Sequence, residues 1–316
     1  MEEILKKESV SELVRDVEEN GEKPVQVFGD YLFKGEIGIL FGDSNTGKSI
    51  LANDICMAAA GGEPFWPETP KLNLPSIYVD LEMTREQFGN RFRGAVPYIP
   101  KNYQRIWCNV LNGDNTDELM NAIKREIIKT QNSPDAIKLI IIDNITYGFG
   151  SILSAKEMKA LMKSLKELKD RFGLTILLIG HCVKRKSGGP VTLDDLGGTK
   201  MLANFCDSAF AINNTAIGDE VKYLKLVKSR VVQKPKKVQI VEISQEPYLR
   251  FQPKEQETEI EVLHPTNLLS ARSSIKPEME PIILQMREAG ATIVQIADKI
   301  RISKSAVGRY CKLMGL

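Results

Sequence analysis

Eight residues, Gly42-Asp43-Ser44-Asn45-Thr46-Gly47-Lys48-Ser49, have the types and spacing of a loop that grips a polyphosphate. Gly42 and Gly47 let the backbone curl, so that successive amide N–H groups face an anion at a helix N-terminus, where aligned peptide dipoles favour negative charge. Lys48 would reach the β- and γ-phosphates of ATP, and Ser49 would ligate Mg2+. Two acids could complete that chemistry. Asp143 closes the apolar run from Lys138 and would hold the magnesium, directly or through water. Glu82 ends the stretch from Ser76, and alternation puts it on the same side as Asp80. A carboxylate at the carboxyl end of a parallel strand lies where open α/β sheets bind ligands, so Glu82 is the candidate for holding a water in line with the γ-phosphate. A solvated strand end is the plain alternative, and it is the preferred reading of Asp80. His181 follows the apolar run Thr175–Gly180. On physical grounds alone, a lone histidine there is more often structural.

These residues need a strand-to-helix frame, and the flanks provide one. Ile37–Phe41 fits a buried strand and Ile50–Ala60 has helical composition. Residues 1–24 read as a helical arm, with Ser11 as a candidate cap, Leu13, Val14 and Val17 on one face, and Asn20-Gly21 as the stop. It could pack on its own domain or on a neighbouring subunit. Residues 25–252 hold the phosphate loop and the apolar strands. From Pro253 the text turns charged and then polar, which reads as a linker over 253–272. Residues 273–316 read as three short helices: Pro277 to Gly290, a second opened by the capping box Thr292-Ile293-Val294-Gln295, and a third from Lys304 to Leu313 capped by Ser303. Val307 and Tyr310 should face the core of that unit, leaving Lys304, Ser305, Gly308, Arg309 and Lys312 outward.

Taken together, the phosphate loop, Asp143 and Val79-Asp80-Leu81-Glu82-Met83 resemble the RecA and DnaB superfamily, and more narrowly the plasmid RepA-type hexameric helicases, over roughly residues 25–252. Asn144, not Glu, follows Asp143. ATPases associated with diverse cellular activities usually carry their catalytic Glu at that position, which leaves Glu82 as the available base. The resemblance implies a three-layer α/β fold with a mainly parallel central sheet, joined to a small all-α C-terminal domain. It also implies a γ-phosphate sensor at His181, where RepA-type members carry His. The loops Thr146–Ser151 and Lys184–Pro190 correspond in position to loops that hold single-stranded DNA in that family. Lys184, Arg185 and Lys186 could neutralise backbone phosphates while Tyr147 or Phe149 stacks on a base. A mobile basic surface loop would look the same. Lys228 and Arg230 resemble the paired basic residues that such subunits insert into a neighbour's ATP site, although lysines on an exposed strand edge also discourage aggregation. If they act as fingers, the site is complete only in an oligomer, and the family implies a hexamer.

Ser303 to Tyr310 resemble the helix-turn-helix of resolvase-like and bacterial regulator domains, with Lys304, Ser305, Arg309 and Lys312 toward a major groove. A three-helix protein-interaction module is the alternative. The whole therefore reads as an oligomeric ATP-hydrolysing DNA motor, such as a replicative helicase of a plasmid or phage. An ATP-switched DNA-binding regulator or recombination mediator is the other reading. Composition sets bounds without deciding: 316 residues allow one large domain and one small one, and 43 basic against 41 acidic residues leave a net charge of +2, so any nucleic-acid contact must be local. Five scattered cysteines suggest a reducing compartment and no zinc site. The N-terminus lacks the apolar core of a signal peptide and no run approaches a membrane span, so a cytoplasmic protein with no membrane partner is expected.

Overall fold

Short, continuous apolar runs bounded by loop residues become the inner strands of one nine-stranded sheet in the computed structural model. The structure describes residues 8–21, 23–67, 69–107, 116–145, 155–183, 189–197, 200–263, 275 and 277–314. Helix α1 (Val10–Asn20) is followed by a small hairpin of β1 (Gln26–Phe28) and β2 (Leu32–Phe33). The large sheet then takes β3 (Ile37–Gly42), β4 (Ser76–Asp80), β5 (Tyr103–Trp107), β6 (Leu139–Asp143), β7 (Thr175–His181) and β8 (Ser208–Asn214), all parallel in the order β8-β3-β7-β6-β4-β5. Strands β9 (Val221–Lys228), β10 (Val238–Ser244) and β11 (Arg250–Glu257) extend it antiparallel beyond β8.

Alternation along the strands divides two cores. Ile140, Ile142, Ile176 and Leu178 face α4 (Thr116–Thr130) and α5 (Ala155–Phe172), whose Ile123, Ile127, Leu161 and Leu165 recur at helical spacing. Leu139, Ile141, Leu177 and Ile179 face the other way, onto Leu51, Ala52, Ile55 and Cys56 of α2 (Lys48–Ala59). Helices cover both faces, which is the three-layer arrangement expected of strands apolar on both sides.

The region expected as a linker from residue 253 is different. Strand β11 continues to Glu257, pairing with β10 from Ser244↔Arg250 to Val238↔Glu257. Helix α7 (Glu259–Leu263) then buries Val262 and Leu263 in the core. The sequence resembles a linker there because β11 is an edge strand: Lys254 and Gln256 share its wet face, Glu255 on the other face is exposed as well, and the run has linker composition. Residues 264–274 lie outside those described. The arm is a helix as expected, but Ser9 rather than Ser11 stands at its N-cap, and Val10, Leu13, Val14 and Val17 are all exposed.

In the C-terminal unit a 3₁₀ turn at Pro277–Met279 precedes α8 (Glu280–Glu288), followed by α9 (Ile293–Ile300) and α10 (Lys304–Met314). Thr292 and Gln295 form the capping box, Thr292 N–H donating to Gln295 Oε1 at 2.8 Å. Arg301 takes a left-handed φ of 54° to turn α9 into α10. Ile283, Ile296, Ala297, Ile300, Val307 and Tyr310 form a core of their own.

Candidate nucleotide site

The carboxyl ends of β3, β4, β6 and β7 meet at one edge of the sheet, and the crossover from β3 begins there with the phosphate loop. Two glycines are required by geometry. A Cβ on Gly42 would lie 2.1 Å from the Ile212 carbonyl oxygen, and Gly47 has φ 86° with the Phe251 ring against it. Asn45 also takes a positive φ, of 60°. The loop is tied to the sheet by Asp43 N–H, which donates to Asn213 Oδ1 at 3.2 Å. Within the loop, Thr46 Oγ donates to Asp43 O at 3.0 Å.

The buried Lys48 ammonium donates to the carbonyls of Asp43 at 2.7 Å and Gly42 at 3.1 Å. Burial lowers its pKa, an effect that Asp143 and Glu82 oppose. Asp143 is buried too, and burial raises its carboxyl above the ordinary range while hydrogen bonds from Ser49 and Tyr78 pull the other way. A desolvated cation beside a desolvated carboxylate and a serine hydroxyl is a donor set suited to phosphate and a hard cation.

Glu82 stands just past β4. Asp80 builds the turn that presents it, accepting the N–H groups of Glu82 at 3.1 Å and Met83 at 2.9 Å on Oδ1. Asp80 is therefore a buried clamp and not the solvated strand end that the sequence suggested. Its other oxygen takes Arg105 of β5 at 2.9 Å, and Arg105 lies 4.5 Å from the Phe88 ring. The Glu82 side chain accepts from Asn144 Nδ2 at 2.6 Å, and that same nitrogen is 3.2 Å from His181 Nε2. Burial lowers the His181 pKa and nearby Lys48 lowers it further, while Glu82 opposes them, so the site disfavours the charged imidazolium.

The structure thus brings Gly42, Asp43, Ser44, Asn45, Thr46, Gly47, Lys48 and Ser49 into the same neighbourhood as Glu82, Asp143 and His181. All but Gly42 and Asp43 line a cleft of about 500 Å³. Lys228 and Arg230 do not line it. Lys228 Nζ donates to Ala203 O and Cys206 O at 2.7 and 2.6 Å, and Arg230 pairs with Asp207 at 2.9 Å. Lys184, Arg185 and Lys186, with residues 146–151, lie outside the described residues. Lys304 is exposed at the start of α10, where the backbone positions of Ser305, Arg309 and Lys312 follow. Sequence reasoning missed Asn144, Tyr78, Arg91 and Arg105. Asn144 was legible only as the absence of a glutamate, and Arg105 reaches Asp80 through a strand pairing that no local spacing signals.

Residues 5–187, more than half of the chain, match the sequence family described as an AAA domain. The chain belongs to that family. No curated protein matches it. Among solved structures, the KaiC-like protein PH0186 from Pyrococcus horikoshii OT3 is similar at 15% identity and a TM-score of 0.52, covering 71% of this chain and 91% of that one. At that identity the likeness is one of fold. This AAA-domain protein is accordingly a P-loop ATPase with a RecA-like α/β fold. Within the family match, Glu82, just past β4, lines the same cleft as Asp143, and Asn144 occupies the position after the β6 acid.

Proposed function

We propose that this AAA-domain protein hydrolyses ATP with magnesium and uses the cycle to drive an oligomeric, hexameric DNA motor of the RepA- and DnaB-like helicase kind. The observation that carries hydrolysis is the convergence of Lys48, Asp143 and Glu82 on one cleft. The loop amides and Lys48 bind the β- and γ-phosphates, replacing the carbonyls of Gly42 and Asp43 as partners of the ammonium. Ser49 and Asp143 fit magnesium, which favours one or two protein oxygens together with phosphate and water; when bound it would neutralise phosphate charge. Among the described residues no group of three or more His, Cys, Asp and Glu forms an all-protein cage. Glu82 orients the attacking water and accepts its proton as the oxygen bonds to the γ-phosphorus and the bridging bond to ADP breaks. Arg91, whose Nη1 is buried without a hydrogen-bond partner, supplies a further cation to the nucleotide.

The DNA part of the reading rests on Lys184, Arg185 and Lys186 near the sensor strand, and on Lys304, Ser305, Arg309 and Lys312 along α10. Arg230 would reach a neighbour's γ-phosphate by leaving Asp207, an exposed pair worth about 1 kcal/mol or less. That same pairing, with Lys228 already engaged on backbone carbonyls, favours a second reading: an ATP-switched DNA-binding regulator with no finger in trans. A forked-duplex assay separates them. The motor predicts strand displacement with ATP and none with a non-hydrolysable analogue. Site binding that needs only nucleotide, without displacement, would establish the regulator. ATP turnover indifferent to any DNA would remove DNA from the function.

A further inference from the structure

Tyr78 carries a hydroxyl into an apolar core. It is fully buried on β4, in the cluster that holds Leu139 and Ile141 of β6 with Leu51 and Ile55 of α2. Burying a hydroxyl costs free energy unless it is hydrogen-bonded, and phenylalanine would fill nearly the same space without that cost. The strand register supplies the partner. Tyr78 pairs with Ile141, so Asp143 stands two residues farther along β6 on the same face, within diagonal reach of a long side chain. The Tyr78 hydroxyl donates to Asp143 Oδ2.

The torsion that turns an aspartate carboxylate is broad, so burial by itself does not decide which oxygen faces the phosphate loop. A donor fixed on Oδ2 does decide it. The phenol ring is held in turn: Phe88 of α3 (Arg85–Arg91) lies 5.8 Å from it, and the Arg105 guanidinium that covers Phe88 at 4.5 Å is fastened to Asp80 at 2.9 Å and to Met83 O at 2.8 Å. Ser49 also hydrogen-bonds Asp143, but it is itself a magnesium ligand in the reading above, so Tyr78 supports the acid from outside the metal's own shell. We propose that Tyr78 is a positioning residue for magnesium, whose hydroxyl stops the Asp143 carboxylate from turning and leaves its other oxygen for the metal or a metal-bound water. This rests on the assignment of Asp143 as the magnesium acid, and it adds the group that aims that acid. The Arg105–Asp80 clamp then serves both carboxylates, presenting Glu82 directly and steadying Asp143 through Phe88 and Tyr78.

Tyr78→Phe removes the donor and keeps the ring against Phe88. In the full-length protein, the Mg2+ concentration that half-saturates tight binding of a non-hydrolysable ATP analogue should rise about 10-fold or more, the scale of losing a group that orients a metal ligand, while the Kd of the analogue in EDTA stays within about twofold of wild type. A general packing defect would weaken binding in both conditions, and that result would overturn the proposal. A half-saturation point within about twofold of wild type, in a folded variant, would overturn it as well. Asp143→Asn is the control: unchanged Mg2+ dependence there would remove the magnesium assignment itself, whereas a large shift there beside none in Tyr78→Phe would remove only the positioning role. Should Tyr78→Phe fail to fold, the wild-type protein still decides. The Tyr78 hydroxyl proton, assigned by NMR through the contact of its ring with Phe88, should stay protected from solvent exchange when the analogue and Mg2+ are bound. Free exchange in that state would show that Tyr78 lets go of Asp143 once the site is loaded, and would rule the role out.

Discussion

Asp54 is a buried acid whose titration couples stability to pH. It lies buried on α2 and accepts the Phe251 N–H at 2.8 Å, yet burial outweighs that bond and raises its carboxyl to about 8. Between about pH 4 and about pH 8 the native state therefore holds a proton that the unfolded chain has released, so stability falls as pH rises across that window and levels above it. Asp54→Asn keeps an acceptor for Phe251 and removes the titration. Urea melts should show the variant gaining on the wild type from pH 5 to pH 8; a difference independent of pH would refute the assignment. Arg105 offers a second test. Its partner Asp80 is fully buried, so Arg105→Ala leaves a buried charge unpaired and should cost about 3–5 kcal/mol in the same melts.

At the scale of elements, β11 and α7 belong to the ATPase fold. A chain ending at residue 252 loses most of β11 and the buried Val262 and Leu263, worth roughly 3 kcal/mol or more from those two side chains. A chain ending at 263 keeps them. The longer piece should bind an ATP analogue and melt cooperatively, while the shorter should melt at lower denaturant; equal midpoints would return the boundary to residue 252. How much the sequence revealed follows the same division. Buried parallel strands such as Leu139–Asp143 and Thr175–His181 are apolar on both faces, and the capping box at Thr292 is local, so all three were legible. Edge strand β11 is wet on one side and reads as linker. The Asp80–Arg105 and Asn144–Glu82 contacts join residues from different strands or strand ends, and no spacing along the chain encodes them.

For the whole molecule, the arm α1 exposes Val10, Leu13, Val14 and Val17, and the proposed motor would need Arg230 to reach the site of a neighbouring subunit. No helix among the described residues is long and apolar enough to cross a membrane. Mixing inactive Lys48→Ala protein with inactive Arg230→Ala protein should restore part of the turnover, since some mixed interfaces pair an intact loop with an intact finger. No recovery despite demonstrated subunit exchange would favour the regulator. The two proposed DNA surfaces should also separate: removing residues 273–316 should abolish preference for a duplex site and leave stimulation by single strands. Neutralising Lys184, Arg185 and Lys186 should do the reverse. Several weak C-terminal modules tethered in one oligomer could together gain roughly 10²-fold in duplex binding.

On the proposed mechanism the chemistry turns on Glu82, because Asn144 stands where a neighbouring glutamate would otherwise serve and Asp80 is occupied by Arg105. Magnesium-dependent ATP turnover by Glu82→Gln, measured beside binding of a non-hydrolysable analogue, tests this directly. Binding should stay within a few-fold of wild type while turnover falls at least about 10²-fold, the scale of lost general-base help. Turnover within about twofold of wild type, in a variant that still binds the analogue, would contradict it.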